Sequence, residues 1–263
     1  MGCEKTYLLD LDGTMYCGDT LIEGARIFVD WLLASGRSFL FLTNNATRTA
    51  RQNVAHMEKL GYRGIREEHF FTSAMASARY VARHSKRRRA FVIGMEGLRE
   101  ALTKEGFTIV EHDAELVFVG LDKHADYRRY SDALSELLKG AKLIGTNADR
   151  IIATSAGFDV GNGSIVAMLE YASGQRSPKI GKPCAPILLL ALEQLQLTKE
   201  DVVIVGDNLE TDIALGASQG VETVLVTTGV HQRADMERLQ IYADHVIDDL
   251  TELFYIPVLL FLF

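Results

Sequence analysis

Cysteine is scarce in this chain of 263 residues: Cys3, Cys17 and Cys184 stand far apart, and no two form a CxxC pair. Neither a disulfide framework nor a cysteine zinc site is indicated, and a reducing compartment is the expectation. Basic charge is in deficit, with Lys plus Arg at 28 against Asp plus Glu at 35 and a net charge of −7. That balance argues against a general polyanion binder, so no nucleic-acid partner is expected. The one dense basic run, Lys86-Arg87-Arg88-Arg89, reads as a solvated connector. None of the seven histidines forms an HxxxH pair, and no internal repeat is evident. Apolar runs also stay well short of the roughly 20 residues a membrane helix needs. The strongest, Tyr255 to Phe263, is nine residues long and holds Pro257. It reads as a segment packed on the core or on a partner; no membrane partner is expected, and a homodimer stays open. Met1 to Asp12 carries Glu4, Lys5, Asp10 and Asp12, which speaks against a secretory signal and for a cytoplasmic location, although Met1 to Thr6 matches a short acylation pattern.

What is present is an ordinary globular composition, 48% hydrophobic and 24% charged. Short apolar runs at Tyr7 to Leu11 and Ser38 to Leu42 read as strands. Between them Gly24 to Leu33 has helical spacing, with Ile27, Trp31 and Phe28 on the inward face. A helix over Ala50 to Leu60 and a strand over His69 to Thr72 follow. Near the other end, helices at Pro186 to Leu197 and Ile213 to Gln219 alternate with strands at Val202 to Val205 and Thr223 to Val226. This alternation predicts an α/β fold built on a doubly wound parallel sheet. The middle block has strands at Ala90 to Gly94, Phe107 to Val110, Glu115 to Gly120 and Lys142 to Thr146. Helices near Leu98 to Lys104, Tyr127 to Leu138 and Ser164 to Ala172 are interleaved with them, which fits an inserted α/β domain.

Four places could carry chemistry. In Asp10-Leu11-Asp12-Gly13-Thr14 the two acids lie two apart at a strand end, on one face, at the edge where open α/β sheets bind ligands. Paired carboxylates repel unless a cation sits between them or one stays protonated, although Asp-Gly is also a common turn pair. Thr43-Asn44-Asn45 ends the second strand and offers a hydroxyl and amides suited to phosphate oxygens, or to ordinary helix capping. Gly181-Lys182-Pro183 supplies an ammonium before a helix but lacks the glycine and Ser or Thr of a phosphate loop. Gly206-Asp207-Asn208-Leu209-Glu210-Thr211-Asp212 places a third acid after a strand. Asp207 would join the first pair in an oxygen-rich site for a hard cation, and Asp212 would hold a bound water or simply charge the helix start. Gly161-Asn162-Gly163 lacks the third glycine of a dinucleotide fingerprint.

Together and in this order, these motifs resemble the haloacid dehalogenase superfamily of phosphohydrolases. Thr43-Asn44-Asn45, the large insertion, Gly145-Thr146-Asn147-Ala148-Asp149 and Gly206 to Ile213 look like its NagD-like branch. The resemblance implies a Rossmann-like core at 1–75 and 178–263, a C2-type α/β cap at 76–177, and Mg²⁺-dependent hydrolysis of a small phosphorylated metabolite. It implies Asp10 as nucleophile, Asp12 as general acid and base, and Thr43, Asn44 and Lys182 on the phosphate. Mg²⁺ would be held by Asp10, the main-chain carbonyl of Asp12, and Asp207, with Asp212 one step further out. Asn147, Asp149 and Arg150, in the loop Gly145 to Arg150, are candidate substrate contacts, as is the loop Ser155 to Gly163. A phosphotransferase using the same aspartyl phosphate, or a phosphate-binding regulator without turnover, are the alternatives at this point.

Overall fold

The computed structural model describes residues 5–154 and 157–255. Most of the acylation pattern at Met1 to Thr6, Ser155 in the second expected cap loop, and the apolar segment 256–263 lie outside the described residues. Strand β1 (Thr6–Leu9) is buried throughout and leads through a short hairpin, β2 (Tyr16–Cys17) and β3 (Thr20–Leu21), into helix α1 (Glu23–Ser35). The helix buries Gly24, Ala25, Phe28, Val29 and Leu32, a stripe whose spacing keeps it on one face. Phe28 meets the Tyr7 ring edge-on, with centroids 5.2 Å apart. Ile27 is 41% exposed rather than inward, because it lies more than a third of a turn from the centre of that stripe. Gly36, at φ 69°, ends the helix, and its N–H returns to the Leu32 and Leu33 carbonyls.

Next come β4 (Phe39–Thr43), α2 (Ala50–Lys59), β5 (Phe70–Thr72) and α3 (Ser73–His84). The middle of the chain runs β6 (Arg89–Ile93), α4 (Glu96–Lys104), β7 (Thr108–Ile109), β8 (Leu116–Val119), α5 (Tyr127–Leu138) and β9 (Lys142–Gly145). A hairpin of β10 (Ile151–Thr154) and β11 (Gly157–Val160) precedes α6 (Asn162–Ser173). The last third holds α7 (Ala185–Leu195), β12 (Val202–Gly206), α8 (Ala214–Gln219), β13 (Glu222–Val226), α9 (Asp235–Leu239) and β14 (His245–Ile247).

The chain forms two compact units, one of residues up to Thr43, Asn53–Phe70 and Leu192 onward, the other of Asn44–Gln52 and Phe71–Ala191. The first is built on a sheet of order β14-β13-β12-β1-β4-β5. Strand β1 pairs in parallel with β12 (Leu9 opposite Val205) and with β4 (Leu9 opposite Phe41). Strand β12 pairs in parallel with β13, Gly206 opposite Leu225. Strands β1, β4 and β12 are buried along their whole length, which explains their unbroken apolar sequences. The register brings the residues after Leu9, Gly206 and Val226 to one carboxyl edge.

The second unit has its own parallel sheet, in order β7-β6-β8-β9. Its core packs Phe91, Val117, Leu137, Leu143, Val166 and Leu169 together. The basic run is largely absorbed here. Arg88 donates to the Ser85 and Ala82 carbonyls at the end of α3 and lies over the Phe107 ring, and Arg89 donates to Asp113 O. Three features escape the sequence pattern. Hairpin β2–β3 has only two-residue strands, β14 has three, and β11 is exposed throughout, so none shows a buried periodicity; β11 also turns part of the expected loop Ser155 to Gly163 into strand. Among the described residues no helix is long and apolar enough to cross a membrane.

Candidate active site

Asp10 directly follows β1, and its N–H still donates to the Val205 carbonyl at 2.9 Å, so the ladder with β12 carries it to the sheet edge. The chain then folds back on itself. The Leu11 carbonyl accepts the Thr14 and Met15 N–H groups, and Gly13 N–H donates to Tyr16 O at 2.7 Å. Two side chains from distant parts of the same unit fasten this loop. The Tyr62 hydroxyl donates to Met15 O at 2.6 Å, and the Thr228 hydroxyl donates to Gly13 O at 2.8 Å. Asp12, on the outer side of the loop, is exposed.

Asp207 follows β12 and is 1% exposed. Its Oδ2 accepts the Val230 N–H at 2.7 Å and its Oδ1 the Thr14 hydroxyl at 3.2 Å. Two glycines make room for it: a Cβ at Gly229 would stand 2.0 Å from Asp207 Oδ2, and one at Gly13, where φ is +90°, 2.2 Å from it. After Asp207 the chain makes a single π-helical turn, Leu209–Ile213, instead of beginning an α-helix at once. Such turns recur at functional sites, and this one returns Asp212 toward β12. A Cβ at Gly206 would meet Asp212 Cγ at 2.3 Å. His231 pins the turn, since its Nδ1 accepts the Leu209 N–H at 3.1 Å and its own N–H donates to Asp207 O at 3.2 Å. Burial holds its imidazole below the usual histidine range.

One carboxylate oxygen from each of Asp10, Asp207 and Asp212 lies within 4.8 Å of the other two. The consequence appears in Asp207, whose carboxyl is pushed up to about 8, first by burial and then by the Asp10 and Asp212 charges, against the pull of the Val230 N–H. Three carboxylates held this close, with one resisting ionisation, form a donor set of hard oxygens that a divalent cation would relieve. The residues therefore fit a hard divalent cation such as Mg²⁺, and Asp212 lies within 4.8 Å of the other two acids.

In the second unit the sequence-predicted residues meet in a different way. Asn44 points its carboxamide into the protein. Nδ2 donates to Lys182 O at 3.0 Å and to Asp149 Oδ1 and Oδ2 at 3.0 and 3.2 Å, while Oδ1 accepts the Lys182 N–H at 2.8 Å. Asn147 donates from Nδ2 to Asn44 O at 2.9 Å. Lys182 is 2% exposed, whereas Arg150 is open to solvent. Sequence reasoning did not select Thr14, Thr228, Gly229, Val230 or His231. The signal that could have found the last four is their place just after β13, at the same carboxyl edge as Asp10 and Asp207.

Known proteins resemble this chain along nearly its whole length. Models described as haloacid dehalogenase-like hydrolase and HAD-hydrolase-like match residues 7–108 and 179–253. The 5'-nucleotidase YutF of Bacillus subtilis is 38% identical over 248 residues, 94% of this chain and 96% of that protein. The chain belongs to the haloacid dehalogenase-like hydrolases. An acid sugar phosphatase of Staphylococcus haemolyticus is 38% identical over 227 residues, 86% of each chain. The solved structure of NagD from E. coli K-12 superposes with a TM-score of 0.86 at 30% identity, covering 95% of this chain and 98% of that one. Within the haloacid dehalogenase-like hydrolases the chain is thus NagD-like, and its α/β fold is theirs.

Proposed function

We propose that this hydrolase of phosphoric monoesters acts on small organic phosphates, of the sugar phosphate or nucleoside monophosphate type, through a phosphoryl group carried on Asp10. The observation that supports it most is the gathering of Asp10, Asp207 and Asp212 at one sheet edge. The names of the two relatives, a nucleotidase and a sugar phosphatase, support the substrate class. Residues 76–177 are taken as the inserted cap on a core of 1–75 and 178–263, and the cytoplasm as the place of action.

Asp10 Oδ attacks phosphorus, and the bond to the alcohol oxygen breaks. Asp12, which is exposed, gives the leaving oxygen a proton. The Asp12 carboxylate then takes a proton from water, the water oxygen attacks the aspartyl phosphate, and phosphate leaves with Asp10 restored. Thr43 offers its hydroxyl to the phosphate. Because the Asn44 carboxamide is committed within the protein, Asn44 acts on the phosphate through its peptide N–H. The Lys182 ammonium offsets phosphate charge. Mg²⁺ would be held by Asp10, Asp207, the Asp12 carbonyl and Asp212; when bound, it supplies the positive charge that lets a carboxylate approach a phosphate dianion.

The test is phosphate release from a panel of phosphomonoesters, with Mg²⁺ and with chelator, run beside Asp10→Asn. Release that needs both the metal and Asp10 is expected. Release that survives either loss overturns the mechanism.

A further inference from the structure

Two sequence motifs have no part in the reaction just described: Gly145-Thr146-Asn147-Ala148-Asp149, and the Gly161-Asn162-Gly163 triplet that fails as a dinucleotide fingerprint. In the structure they are halves of one brace. Gly161 N–H donates to Arg150 O at 2.9 Å and Gly163 N–H to Asp149 O at 2.8 Å. Asn162 Nδ2 donates to Thr146 Oγ1 at 3.2 Å and to Val119 O at 3.1 Å. Any side chain on either glycine would strike the loop, because a Cβ at 161 falls 2.1 Å from Asp149 O and one at 163 falls 2.4 Å from Ala148 O. The loop is also closed within itself, with Asp149 N–H donating to Asn147 Oδ1 at 3.2 Å.

What this brace holds is the Asp149 carboxylate against Asn44 Nδ2, and through Asn44 the backbone of Lys182. The Asn44 carboxamide grips Lys182 by both its N–H and its carbonyl. Gly181 lets the two segments close up, since a Cβ there would lie 2.8 Å from Asn44 Oδ1. The grip works in one amide orientation only. Turned over, the amide would set Oδ1 against the Asp149 carboxylate and the Lys182 carbonyl, and Nδ2 against the Lys182 N–H. A fixed negative charge beside Nδ2 therefore selects the productive orientation.

We propose that Asp149 is a positioning residue for Lys182, acting through the Asn44 carboxamide, and that the Gly161-Asn162-Gly163 triplet is its support. The proposal rests on the phosphatase reading for the role of Lys182, whose buried ammonium is carried on the backbone that Asn44 grips. A displacement of about 1 Å in such a group costs about 100-fold in rate.

The experiment compares the full chain with Asp149→Ala, Asp149→Asn, Lys182→Ala and the Asp149→Ala/Lys182→Ala pair. Turnover of p-nitrophenyl phosphate, a sugar phosphate and a nucleoside monophosphate is measured, together with calorimetric affinity for inorganic phosphate. Asp149→Ala is expected to lower kcat about 10- to 100-fold, by the same factor for every ester. Asp149→Asn keeps an acceptor for the Asn44 N–H but loses the charge and can turn its own amide over, so it should recover only part of the loss, to a rate between those of Asp149→Ala and the native chain. In the Lys182→Ala background Asp149→Ala should add less than about twofold, since a positioning residue has nothing left to position. A loss that varies with the ester would make Asp149 a substrate contact, and an equal loss in both backgrounds would make its role purely structural; either overturns the proposal. If the native chain hydrolyses no ester, the phosphatase reading falls by itself. Positioning is then judged on inorganic phosphate affinity, where the same pattern upholds it and an unchanged Asp149→Ala affinity overturns it.

Discussion

Thr14 and Asp207, 193 positions apart in the chain, are joined by a hydrogen bond of 3.2 Å from the threonine hydroxyl to the carboxylate, and both are buried. The bond fixes one oxygen of Asp207 while the Val230 N–H fixes the other. Thr14→Val keeps the side-chain shape and removes the donor. A bond of this kind contributes about 1 kcal/mol, so Mg²⁺ affinity should fall about fivefold. Calorimetric titration of the variant with Mg²⁺ measures it; an unchanged affinity would remove Thr14 from the site.

Gly229 leaves no room for a methyl group, because its Cβ would stand 2.0 Å from Asp207 Oδ2. Gly229→Ala should push the carboxylate aside and lower phosphate release by about 100-fold or more. Metal titration and turnover should fall together. A variant that loses turnover with native metal affinity would place the damage elsewhere.

Asp10→Asn preserves shape but removes the nucleophile proposed above, and the expected loss of turnover is at least about 10³-fold, some 4 kcal/mol of barrier. Asp12→Asn should instead slow esters with poor leaving groups most, since aryl phosphates depart with less help from a proton. Rates across a series of leaving groups give the slope; equal losses along the series would contradict the acid role.

The crowding of Asp10, Asp207 and Asp212 should destabilise the metal-free fold. Mg²⁺ at about 100 times its dissociation constant should add about 2.7 kcal/mol of stability, and chelator should remove it. Asp207→Asn is expected to unfold in chelator no earlier than the native chain, while losing the rise with Mg²⁺. Scanning calorimetry with and without the metal separates these effects, and a variant that still gains stability from Mg²⁺ would place the cation elsewhere.

Glu170 illustrates a pH effect away from the site. Burial alone pushes its carboxyl up, but the Ser177 N–H at 2.8 Å and the Arg176 guanidinium at 3.1 Å together hold it below the usual range. A carboxyl lowered in the folded state contributes stability above its unfolded pKa of about 4.3 and loses it as pH falls through the folded value. Glu170→Gln should therefore cost about 1 kcal/mol at pH 7, and the gap to the native chain should close below about pH 4. Urea unfolding at both pH values tests this, and a gap that stays constant would show that the charge has no part in it.

The acids of the site were legible because each stands in a local context that announces itself. Asp10 and Asp207 follow buried apolar runs, a run of that kind marks a central strand, and the end of such a strand marks the ligand edge. What surrounds them was not legible. Thr228 matters because the fold lays it against Gly13, and Asp149 because the fold lays it against Asn44, 105 positions away. No local pattern encodes either meeting. For the same reason Asn44, read as a phosphate contact from its place after β4, has its carboxamide engaged on Lys182 and Asp149. Ile27 departs from its expected place for another reason: helical spacing gives the width of an apolar stripe, but the packing of Phe28 on Tyr7 sets where its centre lies.

The pairing of β1 with both β4 and β12 also bears on how the chain is made. During synthesis the first strand can find β4 early, but its other neighbour, Val202–Gly206, emerges only after the whole middle of the chain. Pairing over so long a separation is slow and comes late in folding. Asp10 is thus translated well before Asp207 and Asp212, the acids that gather beside it. A nascent chain stalled before Val202 holds Asp10 without the two acids that gather beside it, so the oxygen-rich cluster forms only once the ribosome has passed Asp212.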